Sequence, residues 1–459
     1  MKIVVCVKQV TSGELNPFDA CALECALQIP DAEITLLSMG RTAVKDLLLQ
    51  LTRLGNVNGV LLSDLAFAGA DTLATGYALS LAAKKLDPDL IICGRQTVDG
   101  DTAQTGSVMA TMMGFPVITN VMGITELDEK HISCTTRLGD ERAELPALIT
   151  VERINDLRRP SIRSKTKEVV VWNAEDIGAD REKCGLKGSP TKVVKSFENE
   201  SGKRKCKFIR PSELGMAVQE GLAKEPEAIK IETSAEKLKN VWIITEAPRQ
   251  MAESVSDDIT VIEKDSAENL AKLIADKKPD VVLWPSDIWS RRTAPQVSAL
   301  LKTGLCADCT ALETDGKELF MYRPAFSGNV IAKIRCVTKP QMATVRTTLN
   351  DVSSVIIAAG KGVRDCYSHV ERLAEKYNAE LAASRGLVDV GFAPYEQQVG
   401  LTGKTVSPKV YIAAGISGAV HHIVGMQQSG TVIAVNPDKD APIFDYADYG
   451  IIAKIEDVK

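Results

Sequence analysis

Histidine is scarce in this chain, with four among 459 residues. Cys306-Ala-Asp-Cys309 has the spacing of a redox motif, and Cys21 and Cys25 lie four apart on an expected helix. No second cysteine pair stands at zinc spacing, so these read as buried structural thiols and no metal site is expected. No run of about 18 apolar residues occurs, which excludes a helical membrane span. Nor is there a basic excess: 55 Lys and Arg against 60 Asp and Glu give a net charge of −5. Nucleic acid is therefore not expected as the partner, because phosphate binding needs accumulated positive charge. The one basic run, Arg158–Lys167, reads as a solvated loop. The opening MKIVVCVKQV lacks a signal-peptide h-region and a small-residue cleavage site, so it reads as a first strand. A cytoplasmic protein with reduced cysteines is the expectation.

The length implies two or three domains, and 45% hydrophobic and 25% charged residues are ordinary for a globular chain. Short apolar, β-branched runs recur at Ile3–Val7, Ile34–Leu37, Leu90–Cys93, Val169–Trp172, Val241–Thr245, Val281–Trp284, Val355–Ala358, Val410–Ala414 and Val432–Val435. Amphipathic stretches such as Ala267–Asp276 and Tyr367–Tyr377 lie between them. Continuous apolar strands alternating with helices predict α/β architecture with parallel sheets covered on both faces. Polar, turn-rich sequence at Glu198–Cys206 and charged sequence at Glu225–Lys239 mark a boundary. The expected domains are 1–205, a linker or arm at 206–240, 241–350, and 351–459, with a junction near Asn350–Ser354.

One plan is used twice. Lys84–Gly94 ends a helix, turns at Pro-Asp, forms a strand and leads through GRQTVDGDTAQTG into a helix expected to open on Thr-Ala. Asp276–Pro285 does the same and leads through PSDIWSRRTAPQ. The first loop has the small and hydroxyl residues that suit phosphate oxygens on backbone N–H groups. The second carries Trp and Pro, which suits packing or docking.

Near the carboxy end the strand Val410–Ala414 meets Gly415-Ile-Ser417-Gly418-Ala419 and then a helical HHIVGM. Small residues at such a turn let a diphosphate approach the backbone, and polar groups just past parallel strands, such as Asn436, sit where α/β sheets hold ligands. Ser417 is not expected to act as a hydrolase nucleophile: GISGA lacks the second Gly in register, and no His follows position 422 to complete the usual order.

Taken together, SRGLVDVG (384–391), QQVGLTGKTVSPKVYIAAGISGAVHHIVGM (397–426), AVNPDKDAPIFDYADYG (434–450), RPAFSGNVIAKI (323–334) and KPQMATVR (339–346) resemble the α subunit of electron transfer flavoproteins. NPFD (16–19), SDLAFAGADTLAT (63–75), GRQTVDGDTAQTG (94–106) and VVWNAEDIGADREKCGLKGSPT (170–191) resemble the β subunit. The resemblance runs through nearly the whole chain, β-like then α-like, as in a fusion of two subunits. It implies adenine-nucleotide α-hydrolase-like parallel sheets in both halves and a C-terminal, doubly wound FAD-binding α/β domain.

The positions matching the family's FAD contacts are Lys361, Ser384 and Arg385; Val399, Gly400, Leu401 and Thr402; Ser417, Gly418, Ala419, Val420, His421 and His422; and Asn436. The resemblance implies that Arg385 places positive charge over the flavin ring, which favours its reduced anionic forms. Thr402 would donate near N5, and His422 would face the pyrimidine carbonyl. In the first half the family holds AMP or, in its electron-bifurcating group, a second FAD reduced by NADH. Matching positions are Cys6; Asn16, Pro17, Phe18 and Asp19; Met39; and the loop of Gly94, Arg95, Gln96, Thr97, Val98, Asp99, Gly100, Asp101, Thr102, Ala103, Gln104 and Thr105. The wording DGDTAQ looks like the bifurcating group. The implied partners are a flavin-dependent dehydrogenase of the acyl-CoA dehydrogenase type and another redox protein such as ferredoxin. The alternative is an adenine-nucleotide-binding module without redox function.

Several positions depart from the family pattern. Lys361 stands for the Arg of GGRG, Leu401 for the Gln of VGQTG, and Lys454 for an acid expected beyond ADYG. Ser107 replaces a common Pro, the segment between Val10 and Asn16 is shortened, and so is the loop after Asn155, which docks the dehydrogenase in the family.

Overall fold

The computed structural model describes residues 1–152, 156–198, 203–224, 236–325, 330–346, 354–394, 397–400, 403–404, 406–427 and 429–458. It divides into two compact units: Met1–Ser196 with Glu232–Phe326 and Ala332–Val345, and Phe197–Ile231 with Ser327–Ile331 and Arg346–Lys459. Among the described residues no helix is long and apolar enough to cross a membrane.

The first unit carries a nine-stranded sheet in the order Gly139–Glu144, His131–Thr136, Val117–Leu127, Ala147–Val151, Leu90–Gly94, Lys2–Cys6, Glu33–Met39, Val57–Leu62, Val169–Trp172. Seven of these strands are parallel; the hairpin Val117–Leu127, His131–Thr136, Gly139–Glu144 finishes one edge antiparallel. Apolar clusters cover both faces, with Val5 and Ile92 on one side and Val4 and Ile91 on the other. That two-sided burial is why these strands read as unbroken apolar runs.

A second, five-stranded parallel sheet of this unit has the order Ile259–Ile262, Val241–Ile244, Val281–Pro285, Gln341–Val345, Leu305–Cys309. In both sheets the first strand of the set lies between the second and a later one: Lys2–Cys6 between Glu33–Met39 and Leu90–Gly94, Val241–Ile244 between Ile259–Ile262 and Val281–Pro285. The repeat in the sequence is thus a repeat of topology. The helices do not open on Thr-Ala as expected. In the first copy Asp101 and Ala103 take left-handed backbone (φ 53° and 55°), which keeps the loop going until the helix Thr105–Met113. In the second, the Asp287 carboxylate accepts the Ser290 N–H at 2.7 Å. This cap starts the helix Ile288–Leu301 early and leaves Thr293-Ala294 inside it.

The second unit is built on a six-stranded, all-parallel sheet in the order Lys207–Phe208, Tyr449–Ile451, Thr431–Val435, Val410–Ala414, Val355–Ala359, Glu380–Ala383. The chain runs from Val355–Ala359 out to Glu380–Ala383, then returns past its starting strand to Val410–Ala414. Within the stretch expected as a linker or arm, Lys207–Phe208 supplies this sheet's edge, and the helix Leu214–Ala223 buries Leu214, Ala217, Val218 and Gly221. That i, i+3, i+4, i+7 stripe is the face of an amphipathic helix. Residues 225–235, and the junction expected near Asn350–Ser354 apart from Ser354 itself, lie outside the described residues.

Candidate functional site

The strand order of the second unit reverses between Val355–Ala359 and Val410–Ala414, and ligands of open α/β sheets bind past the strand ends at such a point. Ala359 is in register with both Ala383 and Ala414, and Ala414 with Val435. The loops that follow these strands therefore emerge side by side: Gly360-Lys361, Ser384-Arg385, Gly415–Ala419 and Asn436. Glycine makes the approach possible. A Cβ on Gly360 would stand 2.1 Å from the Gly415 carbonyl oxygen, and one on Gly418 (φ 96°) 2.2 Å from the Ile443 nitrogen. A third wall, Val399-Gly400, is bonded to Ala383 through the Val399 N–H (2.9 Å) and presses on Gly425, whose Cβ would lie 2.3 Å from the Gly400 nitrogen.

Asn436 holds this turn in place, donating from Nδ2 to the Ile416 carbonyl at 3.0 Å and accepting from the Asp438 N–H at 2.9 Å. Ser417, Ala419 and His421 are exposed and Gly418 is buried. The helix behind them, Val420–Met426, has seven residues and begins at Ala419 without a side-chain cap. Arg385 opens the short helix Arg385–Val388, is half-buried, and pairs through Nε with Asp389 at 3.2 Å. Lys361 is exposed, its Cβ 3.7 Å from where a Cβ on Gly386 would be. His422 is turned inward: Nε2 lies 2.9 Å from the Tyr411 hydroxyl, Nδ1 is buried, and the ring also bonds the Val399 backbone. Burial pulls its pKa down to about 4, with the Val399 backbone acting the other way. Leu401 and Thr402 lie outside the described residues.

The positions singled out in the first half meet at the equivalent reversal, between Lys2–Cys6 and Leu90–Gly94. Gly94 faces the start of the helix Pro17–Leu27 so closely that a Cβ would sit 2.3 Å from Asp19 Oδ1. Asn16 ties helix to loop, donating to the Gln96 carbonyl (2.8 Å) and accepting the Val98 N–H (3.3 Å). Asp19 accepts the Lys8 N–H at 2.8 Å, and the Lys8 ammonium reaches Asp99 at 2.8 Å. Burial pushes the Asp19 carboxyl up to about 7 despite the Asn16 and Lys8 hydrogen bonds. Arg95 extends over the Phe18 ring (5.7 Å), bonds Gln96 Oε1 at 2.6 Å and pairs with Glu152 at 3.1 Å. Arg323 holds the loop from behind by donating to the Gly100 carbonyl at 2.9 Å. Cys6 is in register with Cys93, its Sγ 4.0 Å from the Met109 sulfur; Met39 ends the neighbouring strand. Thr102 and Thr105 are half-buried in the same loop, and Gln104 is buried.

Sequence reasoning missed three contributors. Glu152 is buried and collects Arg95, Arg137 (2.8 Å) and Asn120 (3.3 Å). Tyr411 is fully buried against His422, and Lys8 closes the first-half loop by pairing with Asp99, which the sequence had already singled out. Only Tyr411 carried a signal, as a hydroxyl inside an otherwise apolar strand.

The donor set of the second unit fits the flavin dinucleotide that the resemblance implies. A glycine cradle that a Cβ on Gly360 or Gly418 would fill admits a diphosphate, and the Arg385 guanidinium belongs to the loop beside it. The comparisons with known proteins agree. The model of the electron transfer flavoprotein FAD-binding domain matches residues 350–427, and that of the electron transfer flavoprotein domain matches 3–177 and 256–365, together well over half of the chain. The electron transfer flavoprotein subunit alpha of Thermoanaerobacterium thermosaccharolyticum is 36% identical over 235 residues, 41% of this chain and 71% of that protein. The subunit beta of Megasphaera elsdenii is 40% identical over 235 residues, 43% of this chain and 87% of its own length. Protein FixA of Azorhizobium caulinodans is 37% identical over 256 residues, covering 47% and 91%. These three relatives, of the alpha, beta and FixA kinds, each match less than half of this chain.

Proposed function

The chain belongs to the electron transfer flavoprotein family, and on that premise we propose that it takes electrons from a flavin-dependent dehydrogenase and hands them to another redox protein. FAD is the carrier and supplies the one- and two-electron chemistry. The chain's residues bind and tune it. Gly415–Ala419 and Gly360 admit the dinucleotide, Asn436 keeps the turn in register, and Arg385 sets a fixed positive charge beside the site. An acyl-CoA dehydrogenase is the donor class and a ferredoxin the acceptor class that the family resemblance suggests. The first-half pocket takes a second nucleotide, AMP or a second FAD, and in the latter case NADH is a reductant and bifurcation follows. One observation carries this reading: the glycine-lined switch point at Gly360 and Gly415 lies in the segment matched by the FAD-binding model.

The purified protein is expected to show a flavin absorption spectrum or to acquire one with added FAD; a colourless protein that takes up none would sink the proposal. Two flavins per chain bleached by NADH support bifurcation, whereas one flavin with one AMP removes it. Arg385→Ala is expected to lower the midpoint potential of the bound FAD by the equivalent of about 1–3 kcal/mol, the worth of a charge-assisted contact. An unchanged redox titration would refute that role.

A further inference from the structure

The first-half loop turns back on itself at residues 97–101. The Asp101 N–H donates to the Thr97 carbonyl at 2.9 Å, and the Gly100 N–H to the Thr97 hydroxyl at 3.3 Å. The peptide between Gly100 and Asp101 has a further tie at its oxygen. Arg323, 7% exposed on the strand Leu319–Ala325, donates to the Gly100 carbonyl from Nη2 at 2.9 Å. Its Nε donates to the Ala307 carbonyl, also at 2.9 Å. The strand Leu305–Cys309 bulges at this point: its register against Gln341–Val345 shifts between Cys306 and Cys309, and Asp308 takes left-handed backbone (φ 57°). A bulge leaves a residue unpaired in the ladder, and the Ala307 carbonyl goes to Arg323 instead. The bulge is pinned in turn, since the Asp308 carboxylate accepts Arg291 at 2.8 Å and the Asp308 N–H donates to Thr344 Oγ1 at 2.8 Å.

The tie at Gly100 has a conformational consequence. Asp101 has φ 53°, a left-handed backbone that strains an L-residue and persists only where its surroundings impose it. That angle is the rotation about the bond joining the Gly100–Asp101 peptide to the Asp101 Cα. With its N–H on Thr97 and its carbonyl on Arg323, the peptide plane is gripped at both ends and the angle is fixed. The rest of the loop, with Ala103 left-handed at φ 55°, runs to the helix Thr105–Met113 from the position so set. Arg323 comes from the α-like half of the sequence, whereas the loop it grips is in the β-like half; both lie in the first compact unit. We propose that Arg323 is a positioning residue for the first-half nucleotide site, which is thus built by both halves of the chain. The inference rests on the reading of that pocket as a nucleotide site. Arginine suits the task, because its planar fork holds two acceptors in a fixed mutual orientation and an ammonium on a flexible stem does not.

The test titrates the full chain, FAD in its C-terminal site, with AMP; where a second FAD fills the first half, the flavin-to-chain ratio is read instead. Arg323→Gln keeps one donor and removes the fork. It is expected to weaken AMP at least about tenfold, or to take two flavins per chain to one. The spectrum and midpoint potential of the C-terminal FAD should stay as they were, and Arg323→Lys should fall between. Glycine takes left-handed backbone freely, so in the Asp101→Gly chain the same Arg323→Gln step should cost less than about threefold. Binding indifferent to Arg323→Gln, or equally sensitive to it in the Asp101→Gly chain, overturns the proposal. Loss of both nucleotides together does so too, since it makes Arg323 a residue of general stability. An Asp101 amide that exchanges freely with deuterium in the unsubstituted chain also overturns it, and that measurement needs no variant to fold. An unsubstituted chain that takes up neither AMP nor a second FAD overturns the first-half reading and the role of Arg323 with it. A chain that binds AMP regardless of Arg323 keeps that reading and loses only the positioning role.

Discussion

Asp19 is a carboxyl that the fold prefers to keep protonated. Burial raises it from 3.8 to about 7, because the Lys8 N–H and Asn16 cannot replace the water lost. The sign follows: the stability attached to its protonated form is complete below 3.8 and is lost as the pH rises through about 7. Asp19→Asn, which keeps an acceptor for Lys8, is therefore expected to stabilise the first unit at pH 8 by no more than about 4 kcal/mol. The gain should vanish near pH 4, as read from denaturant transitions at the two values. A difference that does not change with pH would show that Asp19 ionises freely. Residues of this kind were only half legible in the sequence. Asp19 stood out through NPFD, but its titration depends on Gly94, distant in sequence, coming within a missing Cβ of its oxygen. Glu152 could not be found at all: an acid after a strand reads as surface until Arg95, 57 residues away, arrives to pair with it. Tyr411 carried a signal, a hydroxyl in an apolar strand, but its partner His422 could not be read, since the two meet only when the helix after the strand packs back.

Strands, by contrast, were readable because both faces are buried, so their apolar runs carry the signal without help from partners. Val410–Ala414, buried throughout, has the bounds expected of it, and Leu90–Gly94 is longer by one residue; Val169–Trp172 also has its expected bounds, although Val170 and Val171 are exposed at the sheet edge. Helix starts were harder, being decided by single backbone angles at Asp101 and Ala103 and by one cap at Asp287. What the pattern could not contain is the pairing of turns from distant strands. Gly360 and Gly415 are ordinary glycines in sequence, yet they touch because Val355–Ala359 and Val410–Ala414 are neighbours at the reversal of strand order. Gly360→Ala places a carbon 2.1 Å from the Gly415 oxygen, so one turn must move. Overpacking of this kind costs about 1–3 kcal/mol, and FAD affinity is expected to fall at least about tenfold, the equivalent of about 1.4 kcal/mol. Gly123→Ala, whose Cβ would meet nothing within 4 Å, should leave FAD titrations unchanged. Equal affinity in the two variants would remove the glycine contact from the site.

For the molecule as a whole, the open question is how it meets its electron donor. The basic loop 156–168 is anchored at several points: Arg158 to Glu24 at 2.7 Å, the Ser164 carbonyl to Arg53 at 3.3 Å, and the Lys167 N–H to Thr52 at 2.9 Å. Between these ties Ile162 is 98% exposed. A single exposed aliphatic residue is unremarkable in itself, but here it tips a pinned loop, in the shortened segment after Asn155 where the family resemblance implies docking of a dehydrogenase. An apolar anchor on a braced loop needs little ordering when a partner closes over it, so its burial contributes fully to binding. Ile162→Asp would carry a charge into such a pocket and is expected to weaken docking by about 2 kcal/mol, within the range of interface hot spots. Measured with a substrate-reduced acyl-CoA dehydrogenase, the second-order rate of FAD reduction should drop by a factor of about 30. FAD content, midpoint potential and reduction by dithionite should stay as they were, because the loop is not among the residues proposed for either nucleotide site. A rate that holds while Ile162 is charged would move the docking surface elsewhere on the first unit. A rate that falls together with the potential would mean that the loop acts on the flavin and not on the partner.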